Sequence, residues 1–400
     1  FSSHRAARQG ARLLQDAGVE PLEADINPAD RYLMERCVTG GARIRGKRKQ
    51  QRGFLEVDAA ELRGCDYRPA LSWVSFDIET AMQGLELFSI AVHAGDADGQ
   101  LRRVFMVGEG ASQDYVVSCP DQGAALQAFL DCIADIDPDV LIGWNVVNFD
   151  AWYLQRLADQ LGATLRLGRA GGDIYWRSLD DDGERRSARL GGRVLLDGIE
   201  LLKAAFYRFE SFSLESVSRE LLGAGKLLHG GGRGAQIEDL VRRDKSRLAS
   251  YNLRACERVS EIFSHTGLLD FAVARSAMTG LALDRMGGSV ASFDNLYLPR
   301  LHRRGRVAPN ASPQRQASPG GFVLDSEPGI YDHVLVLDFK SLYPSIIRTF
   351  HIDPLGLVLG LSGEGGGEPI PGFLGACFAR EGAILPDLIA TLWRRRDQAK

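Results

Sequence analysis

Three short stretches of this sequence put carboxylates where a hard divalent cation could be held. In Trp73-Val-Ser-Phe-Asp-Ile-Glu79 polar and apolar residues alternate, so Asp77 and Glu79 share one face of a strand and Val74, Phe76 and Ile78 the other. Two residues of strand span about 7 Å. From that spacing two carboxylates can embrace a pair of metal ions about 4 Å apart, which would bind hydroxide and stabilise a leaving oxygen. Asp-x-Glu alone is equally the mark of a solvated acidic face on an edge strand, so it needs partners. One is offered by Val140-Leu-Ile-Gly-Trp-Asn-Val-Val-Asn-Phe-Asp150, an apolar strand, a turn at Asn145, and an acid where a helix through Trp152, Leu154 and Leu157 begins. The other reading of Asp150 is a helix cap worth about 1 kcal/mol. In the third stretch Val334, Leu335, Val336 and Leu337 run directly into Asp338. A buried strand ending in an acid presents a metal ligand to a cleft, which makes Asp338 a candidate Mg²⁺ ligand. Tyr343 precedes Pro344 and is expected to be extended, with Pro344 starting a helix over 345–349.

The elements that must position these residues follow from the pattern around them. From Leu71 to about Asp270 strands and helices alternate, the rhythm of a central sheet with flanking helices. Before it lie an amphipathic stretch, Ala6–Ala17, and a basic one, Arg43–Arg52. Gly223-Ala-Gly-Lys226 has the look of a phosphate loop, but the glycine spacing is incomplete and Leu227 follows Lys226, so a flexible loop is expected. Residues 300–320 are rich in Pro, Ser and Arg and read as a connector between domains. A Gly-rich turn region at Leu361–Gly367 leads to a last helix with Leu385, Ile389 and Leu392 on one side and Pro386 in its first turn.

Bulk properties bound the answer. Four hundred residues make roughly two to four domains. No apolar run approaches the ~20 residues of a membrane span. The first residues, Phe1-Ser-Ser-His-Arg, lack the apolar core of a signal peptide and no initiator methionine is present, so a start inside a larger protein is expected. Six cysteines without Cys-x-x-Cys spacing argue against zinc and a disulfide scaffold and for reduced thiols in a cytosol. The net charge of −4 is unlike that of a simple nucleic-acid binder, but basic residues gather at Arg43–Arg52, Arg300–Arg306 and Arg394–Lys400, where phosphate could be met.

The phrase Asp338-Phe-Lys-Ser-Leu-Tyr-Pro-Ser-Ile346 resembles, without a gap, the first catalytic motif of family B DNA polymerases. The Asp77 and Asp150 stretches resemble the first two motifs of the proofreading exonucleases in that family. Further matching phrases, Arg31-Tyr-Leu-Met-Glu-Arg36, Asp197-Gly-Ile-Glu200, Ser211-Phe-Ser-Leu-Glu215 and Gly287-Gly-Ser-Val-Ala291, extend the resemblance over nearly the whole chain and toward bacterial members. It implies a mixed α/β protein, with a ribonuclease H-like exonuclease domain at 69–285. Flanking it would be part of an amino-terminal domain at 1–68, to which 286–308 returns, the start of a palm at 309–383 and the start of a fingers helix at 384–400. Two-metal sites for Mg²⁺, with Mn²⁺ as a substitute, are implied at Asp77, Glu79 and Asp150 and at Asp338. The third exonuclease motif, Tyr-x-x-x-Asp, falls on Tyr251-Asn-Leu-Arg-Ala255, so Ala255 stands where the fourth carboxylate belongs.

By the same resemblance Phe339, Ser341 and Leu342 lie beside an incoming triphosphate, Tyr343 packs under its sugar and excludes ribose, and Arg396 and Lys400 grip its oxygens. Asn145, Gly320, Gly321 and Phe322 would touch DNA, although Ser318 replaces the tyrosine usual before those glycines. The implied partners are primer–template DNA, deoxynucleoside triphosphates and a sliding clamp, and the implied location is a bacterial cytoplasm, at the nucleoid. The function implied is DNA synthesis with 3′–5′ proofreading, in replication, repair and lesion bypass. Neither the Lys-x-x-x-Asn-Ser-x-Tyr-Gly fingers motif nor the Asp-Thr-Asp palm motif occurs in the 400 residues. The chain alone is therefore expected to be inactive in synthesis and strongly impaired in editing. The alternatives are a free-standing 3′–5′ DNA exonuclease and a non-catalytic DNA-binding protein.

Overall fold

The alternating stretch at Trp73 forms a strand in the middle of a sheet, with its apolar side turned into a core. In the computed structural model, which describes residues 3–51, 54–96, 99–169, 171–223, 233–285, 288–310, 321 and 323–399, the strands in chain order begin with β1 (Ala42–Gln51), β2 (Phe54–Gly64), β3 (Trp73–Thr80) and β4 (Leu87–Asp96). They continue with β5 (Gly99–Val107), β6 (Val116–Cys119), β7 (Val140–Gly143) and β8 (Tyr175–Ser178), and end with β9 (Arg186–Arg189), β10 (Val194–Asp197), β11 (Ile370–Pro371) and β12 (Cys377–Phe378). The helices are α1 (His4–Asp16), α2 (Pro28–Glu35), α3 (Gln122–Ile136), α4 (Asp150–Gln160), α5 (Gly198–Ala204), α6 (Leu214–Leu222) and α7 (Arg233–Arg243). After them come α8 (Lys245–Thr266), α9 (Leu268–Thr279), α10 (Ser289–His302), α11 (Leu342–Thr349), α12 (Pro354–Ser362) and α13 (Leu385–Ala399).

The chain divides into two compact units. One is Arg36–Ser292; the other joins Phe1–Glu35 to Phe293–Lys400. The first is built on a six-stranded sheet of order β10-β7-β3-β4-β5-β6, in which β3, β4 and β5 are antiparallel neighbours and β10, β7 and β3 run parallel. Val74, Phe76 and Ile78 of β3 pack with Phe129 of α3 and Leu154 and Leu157 of α4 on one side. On the other side α8 supplies Ala255, Val259, Ile262 and Phe263 against Val140, Ile142 and Leu196. The acidic face of β3 is therefore covered by a helix and is not the solvated face of an edge strand. The same unit carries the β1–β2 ribbon, whose basic strand is exposed along almost all its length. Gly46 is required there, because a Cβ would meet the Asp58 carbonyl oxygen at 2.6 Å.

The second unit has a smaller core of Met34, Tyr297, Leu298, Leu301, Leu355 and Ile384. Its hub is Asp353, which caps α12 through the amide of Gly356 and also accepts hydrogen bonds from the Ile384 and Leu385 amides and the Tyr297 hydroxyl. The last helix, α13, begins with Pro386 in its first turn, as the sequence predicts.

The expected buried strand at Val334–Leu337 does not form. These residues are unpaired and 68–86% exposed. An apolar run becomes a central strand only where neighbours supply backbone partners on both sides, and no strand among the described residues does so. Tyr343 is a second departure, lying inside α11 instead of being extended. Ser341 takes a left-handed conformation (φ 58°) that turns the chain so that the helix starts at Leu342, and Pro344 then falls in its first turn, where no amide donor is needed. Of the expected flexible loop at Gly223-Ala-Gly-Lys226, Gly223 ends α6 and residues 224–226 lie outside the described residues. Among the described residues no helix is long and apolar enough to cross a membrane.

Candidate functional site

The site in the larger unit begins where the sheet opens. Pairing of β3 with β7 runs from Trp73 opposite Val140 to Ser75 opposite Ile142 and stops there. Past that point β7 turns sharply. Gly143 has no room for a side chain, since a Cβ would come within 2.6 Å of Val146 and 3.1 Å of the Phe76 carbonyl oxygen. Asn145, left-handed at φ 58° and exposed, carries the turn, and its carbonyl accepts from the Phe149 amide at 2.9 Å.

The turn delivers Asp150 as the first residue of α4, where it is buried. Its carboxylate does not cap the helix. Instead Oδ1 accepts the Ile78 amide at 3.0 Å, replacing the strand partner that β3 has lost. Asp150 is thus bonded to the backbone between Asp77 and Glu79. Burial pushes its carboxyl well above the usual carboxylate range and the negative charge of Asp77 pushes it further, while the Ile78 amide pulls the other way. Glu79 is itself buried and Asp77 half-buried. Two acids forced together in this way are the signature of a place where a positive charge is at home.

Helix α8 closes the site from the other face. The Asn252 amide donates to Asp77 Oδ2 at 2.8 Å, and the Ser89 hydroxyl on β4 donates to Asn252 Oδ1 at 2.9 Å, which fixes which way the amide points. Tyr251 is buried, its ring in a cluster with Phe88, Met106 and Leu248. Ala255, one turn on, is buried in the neighbouring apolar cluster with Val140, Leu196 and Val259. Asp197 ends β10 and caps α5, accepting from the Ile199 amide at 2.9 Å, and is near enough to Asp150 to raise it further. Burial lifts its own carboxyl to about 6. Asn252, Ser89 and Asp197 belong to this constellation without having been given a role by sequence reasoning. Asn252 sits beside Tyr251 in the third motif and Asp197 opens one of the matching phrases, which were the available signals.

Carboxylate oxygens are the right donors for a hard divalent cation. Among the described residues, however, no three His, Cys, Asp or Glu side chains are grouped to hold one. The acids as folded therefore fall short of a two-ion arrangement.

In the smaller unit Asp338 is exposed at the end of the unpaired run, followed by exposed Phe339, Leu342 and Tyr343. Arg396 of α13 donates to the Ser341 hydroxyl, so α13 and the start of α11 do meet. Gly321 is exposed, with open space around it. Gly320, Phe322 and Lys400 lie outside the described residues.

Comparison with known proteins finds relatives for both parts of the chain. Residues 20–217 match the exonuclease domain of DNA polymerase family B, and residues 286–363 match DNA polymerase family B itself. The chain is 45% identical over 408 aligned residues to DNA polymerase II of Escherichia coli (strain K12), covering all of this chain and 51% of that protein. It is 27% identical to a DNA polymerase of Desulfurococcus sp. (strain Tok), covering 84% of this chain and 41% of that one. Its fold is similar to that of the family B DNA polymerase from the hyperthermophilic archaeon Pyrobaculum calidifontis, with a TM-score of 0.69 at 24% identity over 98% of this chain and 52% of the other. The chain therefore spans about half the length of these relatives. With an acidic site at the open end of β3 and both family regions matched in order along the sequence, the chain belongs to the family B DNA polymerases.

Proposed function

We propose that this chain is the editing and early palm region of a DNA polymerase II-like enzyme, and that its nuclease is disabled by Ala255. The observation that carries the reading is Asp150 bonded to the Ile78 amide, which ties the acid of the second motif to the strand carrying the two acids of the first. In an intact site Asp77, Glu79, Asp150 and an acid at 255 would share Mg²⁺, or Mn²⁺ in its place, which would activate water at a DNA 3′ end. The chain's own residues do the rest. Asn252 orients Asp77, the Gly143 turn fixes the height of Asp150, and exposed Asn145 and Phe149 on that turn are available to a strand end.

Asp338 is assigned to the synthetic site, with Phe339, Ser341, Leu342, Tyr343, Arg396 and Lys400 around a deoxynucleoside triphosphate. Gly320, Gly321 and Phe322 are assigned to the template strand. The domain limits follow as 1–68 with 286–308, 69–285, 309–383 and 384–400. Primer–template DNA is the substrate, and replication, repair, lesion bypass, a clamp partner and a nucleoid location belong to the same proposal. The test is Ala255→Asp, followed by release of nucleotides from a DNA 3′ end in Mg²⁺. A carboxylate that binds the metal directly is worth several kcal/mol of transition-state stabilisation, so a gain of at least about 10²-fold is expected. Equal rates for the two proteins would remove the basis for Ala255 as the lesion.

A further inference from the structure

Three cations surround one indole in the smaller unit. Arg348 lies 4.9 Å, Arg396 5.2 Å and Lys340 5.6 Å from the Trp393 ring centre, all within cation–π range. A single carboxylate sits among them. Asp397 accepts from Lys340 Nζ at 3.1 Å, from the Trp393 indole nitrogen at 3.0 Å and from Arg396 Nη2 at 3.3 Å. The guanidinium of Arg396 reaches the Ser341 hydroxyl with its other arm, and its Nε is buried without a hydrogen-bond partner. Arg348 makes no ion pair among the described residues. The cluster thus holds three positive charges against one negative, joins the segment after Asp338 to α13, and leaves donor capacity unused.

We propose that Asp397 is an internal counter-ion that occupies the cluster until a linear polyphosphate, free or carried on a nucleoside, displaces it, while Trp393 holds the freed cations in place. This rests on the reading of α13 as the helix that meets the triphosphate, and adds to it a self-blocking contact. Asp397 is exposed, with 39% of its side chain open to solvent, and an exposed ion pair is worth little, so one carboxylate is a weak competitor for a ligand carrying three or four negative charges. The same contacts hold its carboxyl below the usual range, first the hydrogen bond from Lys340 and then that from Arg396, and the three hydrogen bonds keep it in the cluster when no anion is present. Trp393 and Asp397 are positioning residues, since they act through Lys340 and Arg396.

The experiment is a calorimetric titration of the 400-residue chain, without divalent metal, with tripolyphosphate, a deoxynucleoside triphosphate and orthophosphate. The native chain should bind the first two with similar affinity and orthophosphate far more weakly; a marked preference for the nucleotide would place recognition on the base or sugar and overturn the polyphosphate assignment. Asp397→Asn should bind tripolyphosphate about fivefold more tightly, a gain that shrinks as salt is raised, and Asp397→Glu should return to native affinity. Trp393→Ala should weaken binding and Trp393→Phe restore part of it, because a phenyl face still attracts cations. If Arg396→Ala loses affinity but Asp397→Asn binds equally or less tightly, the counter-ion idea fails while the nucleotide reading of α13 survives. If Arg396→Ala binds as well as native, both fail. Circular dichroism of each variant separates these outcomes from misfolding.

Discussion

The proposed loss of nuclease activity turns on one side chain, Ala255. Its methyl is packed in an apolar cluster on α8, while Asp77, Glu79 and Asp150 crowd at the end of β3 on the strand that this helix covers. A carboxylate introduced at 255 would enter a buried, apolar place. Without metal, Ala255→Asp should therefore lower stability by about 2–4 kcal/mol, and Mg²⁺ or Mn²⁺ should recover much of it by binding the folded state alone. Thermal unfolding of both proteins in chelator and in metal checks this, and a variant indifferent to metal would speak against a cation site here. The acids themselves were legible in the sequence, because alternation along β3 declares a shared face. The polar clasp of Asn252 and Ser89 was not, since a hydrogen bond across 163 residues leaves no trace in local spacing.

At the scale of elements, Asp197 shows how a strand end and a helix start can share one group. It terminates β10, caps α5 and is almost wholly buried. Its carboxyl titrates at about 6 in the folded chain, above an ordinary 3.8. The folded state therefore holds that proton more tightly, and keeping the group ionised costs about 3 kcal/mol above pH 6, a cost that fades as pH falls through 6 and is gone below 3.8. Asp197→Asn keeps a capping oxygen and removes the charge. It should be more stable than the native chain by about 1–2 kcal/mol at pH 7.5, with the advantage largely lost near pH 4. Urea unfolding at the two pH values measures it, and an equal gain at both would assign the effect to something other than charge.

Elements also show the limit of pattern reading. Strand β7, helix α4 and the last helix with Pro386 were legible because their partners lie nearby or their caps are local. The run Val334–Leu337 reads as a buried strand and is not one, because hydrophobicity states what a segment needs and cannot supply it. Tyr343 reads as extended before Pro344, yet the left-handed Ser341 starts the helix early and overrides that preference.

Across the whole molecule the two candidate sites differ in completeness. The larger unit has a sheet, two flanking cores and a set of acids; in the smaller one Asp338 stands exposed at the end of a segment without strand neighbours. One carboxylate on an unpaired segment cannot fix two ions and a 3′ hydroxyl in line. The purified 400-residue chain should therefore give no primer extension with Mg²⁺ and all four deoxynucleotides, and a radiolabelled product even one nucleotide longer would contradict this. The smaller unit has a further property, because it is made from two segments that flank the larger unit in the sequence. Glu23 and Arg31 meet His302, and Glu20 meets Asn310, so the segment Phe1–Glu35 cannot complete these contacts until residues beyond 293 exist. At ~5–20 residues per second a ribosome needs roughly ten seconds to a minute to make the intervening stretch. During synthesis the sheet-bearing unit can close first, while the segment before it waits for the segment that follows it in the sequence.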